Sequence, residues 1–171
     1  MKKEFNYYLG EKEYIDFQIN FLNPTIKKQM KTTILILIAI YILIFSIMFF
    51  YVGKNINTTI TVFAIVTFFS ILQIITYKVR LEKSIIKKLK KYIKLGKINN
   101  ILGDKTLKII DDNNISLIDK EKEMSYNKKD ITKITQSKKC IFLYTDDISA
   151  IIIPKNILNN DELLFLKNFF Y

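Results

Sequence analysis

The sequence predicts a membrane α+β protein: a two-helix transmembrane hairpin with a small antiparallel-β domain that a C-terminal helix closes. Three observations lead there. Residues 32–52 and 55–77 are runs of 21 and 23 residues without a charge. A strongly basic segment, 78–97, directly follows the second run. The remaining stretch, 98–171, alternates short apolar runs with Asp/Asn turn clusters.

A helix rises about 1.5 Å per residue, so either uncharged run covers the roughly 30 Å hydrocarbon layer. The spans are read as about 32–52 and 56–77. The first, TTILILIAIYILIFSIMFFYV, holds thirteen Ile, Leu and Phe residues, which favour insertion by about 5 kcal/mol. The second carries several Thr, Ser70 and Gln73. Hydroxyls there bond back to their own helix or to a neighbour, and Gln73 reads as glue between helices. A buried helix pair in a soluble core is disfavoured, because 171 residues leave too little chain to cover both runs.

Gly53, Lys54 and Asn55 mark a tight turn, so the spans run antiparallel. Lys27, Lys28 and Lys31 precede the first span, and eight Lys and Arg between Lys78 and Lys94 follow the second. The turn carries only Lys54. The positive-inside rule then places both termini in the cytoplasm. The first apolar run starts too late and runs too long for a cleavable signal peptide. The expected organisation is a cytoplasmic strand and helix over 1–31, the hairpin over 32–77, a basic amphipathic connector helix over 78–97, and the β domain over 98–171.

The formal net charge is +11. Residues 78–97 hold nine basic residues and one acidic, whereas 98–171 hold eleven of each. At helical spacing Leu81, Ile85, Ile86, Leu89, Tyr92 and Ile93 fall on one face of the connector. Arg80, Lys83, Lys87, Lys90, Lys91 and Lys94 fall on the other. Gly96 is the expected stop. The plain reading is a continuation of the second span with its charges in water. The functional reading is an anionic-lipid contact by those six residues, at about 1 kcal/mol for each. Nucleic acid is not an expected partner, since no aromatic stacking platform accompanies the charges.

Residues 98–171 suffice for one small domain. Strands are expected at Thr106–Asp111, Ile115–Asp119, Glu123–Tyr126, Ile131–Gln136, Cys140–Tyr144 and Ser149–Ile153. Pro154 should close the last, because it has no N–H for the ladder. Asn160, Asp161 and Glu162 offer an N-cap and acidic first turn for a final helix. Near the N-terminus, Phe5, Tyr7 and Leu9 alternate as in a strand, and Gly10 breaks it. Glu11–Asn23 reads as an aromatic-rich helix ended by Pro24, packed on the C-terminal domain.

The inventory for chemistry is thin. With no His and a single Cys, this chain supplies no His metal site, His base, Cys–His pair or internal disulfide. Asp111-Asp112 and Asp146-Asp147 sit at expected hairpin turns, where Asp bonds its own backbone. Cys140 reads as a small apolar residue. There is no Gly-rich phosphate loop or Ser nucleophile elbow. The spans hold no charge, which argues against an ion or proton carrier. No catalytic residue, cofactor or metal ligand is expected, and the reading is non-enzymatic.

The layout resembles the YcxB-like membrane proteins of bacteria. The cues are FNYYL and EKEYIDFQIN near the N-terminus, two spans, a basic helix, then ITKITQSKKCIFLYTDDISAIIIPKNIL and NDELLFLK. Ile152-Ile153-Pro154-Lys155 before an acidic helix start is the most recognisable part. The resemblance implies a pleckstrin-homology-like (PH-like) C-terminal domain in a bacterial cell membrane protein, and it transfers no active residues. Many relatives carry a His in the N-terminal helix, and this chain has none.

The leading functional expectation is a multi-pass anchor that presents a protein-interaction module beneath the membrane. Its partners would be the bilayer, an unidentified protein and, through the hairpins, a second copy. The specific version is a toxin-immunity protein whose partner is a toxin. The alternative is an anionic-lipid-sensing regulator acting through the basic helix.

Overall fold

A computed structural model describes residues 3–51, 56–120 and 122–170. The turn expected at Gly53, Lys54 and Asn55 lies outside the described residues. Among the described residues three α-helices, α1 (Glu11–Tyr51), α2 (Ile56–Lys94) and α3 (Asn160–Phe170), accompany seven strands. The chain packs as two compact units, Leu22–Lys87 and a second formed by Met1–Phe21 with Lys88–Tyr171.

The unit Leu22–Lys87 is made of two long apolar helical stretches. Tyr41 and Phe45 of α1 meet the Phe63 ring of α2, with centroids 5.8 and 6.0 Å apart. Met30 and Ile34 share a small gap with Ile74 and Tyr77. Higher numbers in one helix meet lower numbers in the other, so the two run antiparallel. Most of the apolar surface faces outward, with Leu35, Ile42, Leu43, Phe68, Phe69 and Ile75 exposed. Hydroxyls are satisfied within their own helix: Ser46 donates to the Ile42 carbonyl at 2.9 Å and Thr67 to that of Phe63 at 2.7 Å. Gln73, expected to bridge the helices, is instead exposed on α2.

Pro24 does not end the first helix; it lies inside α1. A proline removes one i→i−4 bond and strains one turn, at about 3 kcal/mol. α1 continues on both sides of it despite that loss. The basic segment continues the second apolar stretch, as in the plain reading of the sequence, since α2 runs on to Lys94. It stops where the sequence indicates. Gly96 has φ +70°, its N–H donates to the Ile93 carbonyl, and the Lys97 N–H donates to that of Tyr92. That pair of bonds is a Schellman cap, which needs a left-handed residue at the glycine position.

The second unit holds the sheets. Strands β1 (Lys3–Leu9), β2 (Gly103–Ile109), β3 (Asn114–Asp119) and β4 (Lys122–Asn127) form one antiparallel sheet in that order. Strands β5 (Lys133–Gln136), β6 (Cys140–Tyr144) and β7 (Ala150–Pro154) form another. Strand β1 joins through a seven-residue register from Lys3↔Ile109 to Leu9↔Gly103. Its alternation decides which face is buried: Phe5, Tyr7 and Leu9 point inward, while Asn6 meets Thr106 outside through a 2.6 Å hydrogen bond. Pro154 is the last residue of β7, as its missing N–H requires.

The start of α1 packs on the second sheet, as expected. Phe17 is 4% exposed, and its ring lies 5.6 Å from that of Phe142 and 5.9 Å from that of Tyr144. Polar rungs flank it, from Ser137 to Asp16 and from Thr135 to Asn20. The cap of α3 sits one residue earlier than expected. The Glu162 N–H donates to the Asn159 side chain, and the Asn159 N–H donates to the Glu162 carboxylate. Glu162 thus selects as N-cap the residue three positions before it, closing a capping box.

Truncating Phe17 removes the ring that joins α1 to the second sheet. Phe17→Ala should cost about 3–5 kcal/mol. Leu164→Ala, at a position 59% exposed, should stay within about 0.5 kcal/mol. Chemical denaturation of the full chain in detergent, followed by tyrosine fluorescence, checks both.

Candidate functional site

The six basic residues singled out in the sequence all lie on α2 and are all exposed. Leu81, Ile85, Ile86 and Leu89 are half-buried and Ile93 is buried, so the amphipathic pattern is real. Two details differ from expectation. Tyr92, assigned to the apolar face, is 46% exposed, and the Lys97 ammonium sits 5.6 Å from its ring centre. It lies at the edge of the stripe, where a phenol can reach water. Arg80 is partly engaged, with one guanidinium nitrogen donating to the Gln73 carbonyl at 3.3 Å. Lys83, Lys87, Lys90, Lys91 and Lys94 form the freer cationic series.

The acidic pairs act as turn residues. Asp111 accepts from the backbone N–H groups of Asn113 and Asn114 at 2.8 and 2.9 Å. Asp146 accepts from Ile148 and Ser149 at 2.7 and 2.6 Å. Both carboxyls are held below their ordinary range, Asp111 mainly by the Asn114 side chain and Asp146 mainly by the Ile148 N–H. Cys140 is fully buried, and burial first, then the Asp16 and Glu13 charges, pushes its thiol up to about 12. That is the reverse of an activated cysteine.

The Ile-Ile-Pro-Lys segment ties β7 to the β5–β6 hairpin. Lys155 donates from Nζ to the Gln136 side chain at 2.9 Å and to the Ser137 carbonyl at 2.7 Å, and from its N–H to the Lys139 carbonyl. Ser137 Oγ in turn accepts from the Lys139 and Cys140 N–H groups and donates to Asp16. One serine thus links the hairpin turn to α1.

The most built polar site was not singled out from the sequence. Tyr7, Lys105, Asp119 and Lys122 stand opposite one another across β1, β2, β3 and β4. Lys105 is 6% exposed and its ammonium pairs with Asp119. The other carboxylate oxygen, Oδ1, is buried without a hydrogen-bond partner among the described residues. Tyr7 is 6% exposed, and burial, reinforced by the Asp119 charge, holds its phenol neutral. Tyr7, Lys105 and Asp119 line a cleft of about 290 Å³ whose walls include Leu9, Leu117, Met124, Ile151 and Ile152. Tyr126, Thr145 and Ser149 add hydroxyls, and Asn100 an amide. A signal was present: Lys105 keeps the inward phase of Leu107 and Ile109, and Asp119 that of Ile115 and Leu117. A charge at a core phase of a strand marks either a partner or a site.

A pair of long apolar helices with an antiparallel β unit and a terminal helix is the class of protein this fold defines. The model of the YcxB-like protein family matches residues 110–170, from just after β2 through α3. The resemblance drawn from the sequence cues is therefore supported over that stretch. No curated protein and no solved structure matches the chain.

Two measurements check this electrostatic picture. Cys140 should resist iodoacetamide in the folded chain at mildly alkaline pH and react on denaturation, as mass spectrometry would show. Asp111 and Asp146 have folded-state pKa values below the ordinary 3.8. Their contribution is therefore complete above that value and lost as pH falls through the lower folded-state values. Carboxyl ¹³C titration of the full chain should place both midpoints below 3.8.

Proposed function

We propose that this chain is a membrane-anchored, non-enzymatic interaction module. The spans at 32–52 and 56–77 cross the bilayer as a hairpin, and a PH-like domain works on the cytoplasmic side. The observation that carries the reading is the pairing of β1 with β2. The chain leaves this sheet at Gly10 and re-enters it at Gly103, which supports an even number of membrane crossings by the helices between. The outward-facing Ile, Leu and Phe of Leu22–Lys87 support lipid as their cover. Lys27, Lys28 and Lys31 and the nine basic residues of 78–97 favour the cytoplasm for both ends. Four strands plus three, closed by a terminal helix, support the PH-like reading.

Reporter fusions test the topology. Green fluorescent protein after Tyr171 should fluoresce, and alkaline phosphatase there should be silent; the opposite pattern contradicts the reading. The narrower version, self-protection, adds a partner: deletion should sensitise cells to a toxin encoded beside the gene, and unchanged survival contradicts it.

A second reading is favoured by the exposed lysine series on α2, which suits anionic headgroups. Strand β1 is part of the domain, so the full chain is the proper sample. In nanodiscs of mixed lipid, the wild type should retain an excess of anionic lipid by native mass spectrometry. Replacing Lys83, Lys87, Lys90, Lys91 and Lys94 by Gln should remove it, and an unchanged excess rejects the reading. Each lysine close to the surface is worth about 1 kcal/mol.

A further inference from the structure

We propose that the cleft between the two sheets binds a small neutral primary amide with a short apolar body. The inference stands apart from the membrane reading, since every lining residue lies in the β unit. It begins with the inner face of the first sheet. One row across β1 to β4 is Phe5, Leu107, Leu117 and Met124, and the next is Tyr7, Lys105, Asp119 and Lys122. The core is therefore apolar until that second row, where it turns ionic while Tyr7 and Lys105 stay buried.

Lys105 engages one carboxylate oxygen of Asp119 and leaves Oδ1 buried without a protein donor among the described residues. A buried acceptor demands a hydrogen-bond donor. Tyr7, also buried and lining the cleft, makes no hydrogen bond among the described residues and can donate to an acceptor. A donor for Oδ1 and an acceptor for the phenol, called for within one cleft by residues of one cross-strand row, describe a carboxamide. Leu9, Leu117, Ile151 and Ile152 then receive the apolar body.

Charge selects among head groups. The Lys105 ammonium already compensates Asp119, and Lys120 and Lys122 line the adjoining widening of the cleft. An added ammonium would bring uncompensated positive charge to a buried site. A carboxylate would set its negative charge against Oδ1. The neutral amide avoids both costs.

The test titrates butyramide, butylamine and butyrate into the full chain in detergent, read by methyl NMR of Leu117, Ile151 and Ile152. Fragments of this size bind in the millimolar range. Butyramide should give saturable shifts, and the charged analogues should bind at least about tenfold more weakly. Asp119→Asn should weaken butyramide by about tenfold or more, because the Asn oxygen must serve Lys105 and its NH₂ then faces the ligand N–H. Ala150→Phe fills the cleft from the second sheet while leaving both charged residues unsubstituted, and should abolish the shifts even if Asp119→Asn fails to fold. No saturable shift with butyramide, butyrate or butylamine binding as tightly, or binding unchanged in Ala150→Phe would each overturn the proposal.

Discussion

Pairing between β1 and β2 is the constraint on which the rest depends. It joins residues at opposite ends of a long intervening segment into one seven-residue ladder. Closing so long a loop costs entropy that grows only slowly with length. Two antiparallel helices reduce that cost further, because a stiff hairpin returns the chain near its start. The ladder is worth forming because it completes the core. Without β1, the inward faces of Leu107 and Ile109, now 0% and 2% exposed, would lose their cover from Phe5 and Tyr7. The long helices and the β unit are therefore interdependent parts of one topology.

The same sheet shows how a small domain tolerates a charge inside. A buried ion pair rarely adds net stability over an apolar replacement, and breaking one by removing a partner is costly. Here the Lys105–Asp119 pair lies at the end of two apolar rows, beside a cleft that admits polar partners. A two-residue slip of β2 against β3 would keep the apolar residues inward yet separate the two charges, whereas a one-residue slip would turn one strand's inward face outward. The pair thus penalises the wrong alignment of strands whose apolar residues alone are nearly interchangeable.

Most of the architecture was legible because it rests on local rules. Uncharged runs gave the long helices, and turn clusters gave the hairpins with boundaries shifted by a few residues. Gly96 gave the end of α2. The misses have a common origin in tertiary context. Pro24 looked like a stop, but α1 runs through it at the loss of one backbone hydrogen bond. Gln73 looked like glue, but its place around α2 sets it on the exposed side. Asn160 looked like a cap, but the reciprocal bond from Glu162 selects Asn159. The cleft was the largest omission. Its members come from strands far apart in the chain, and only the register places Tyr7, Lys105 and Asp119 in one row.

The most direct measurement is disulfide trapping across the β1–β2 ladder. Asn6 and Thr106 stand opposite each other on the outer face, at a spacing that a disulfide accommodates. Asn6→Cys with Thr106→Cys should form an intramolecular disulfide in native membranes under mild oxidation. Asn6→Cys with Lys108→Cys, displaced by two residues, should form little. Equal or preferred crosslinking of the displaced pair, or no crosslink in either, would contradict the account.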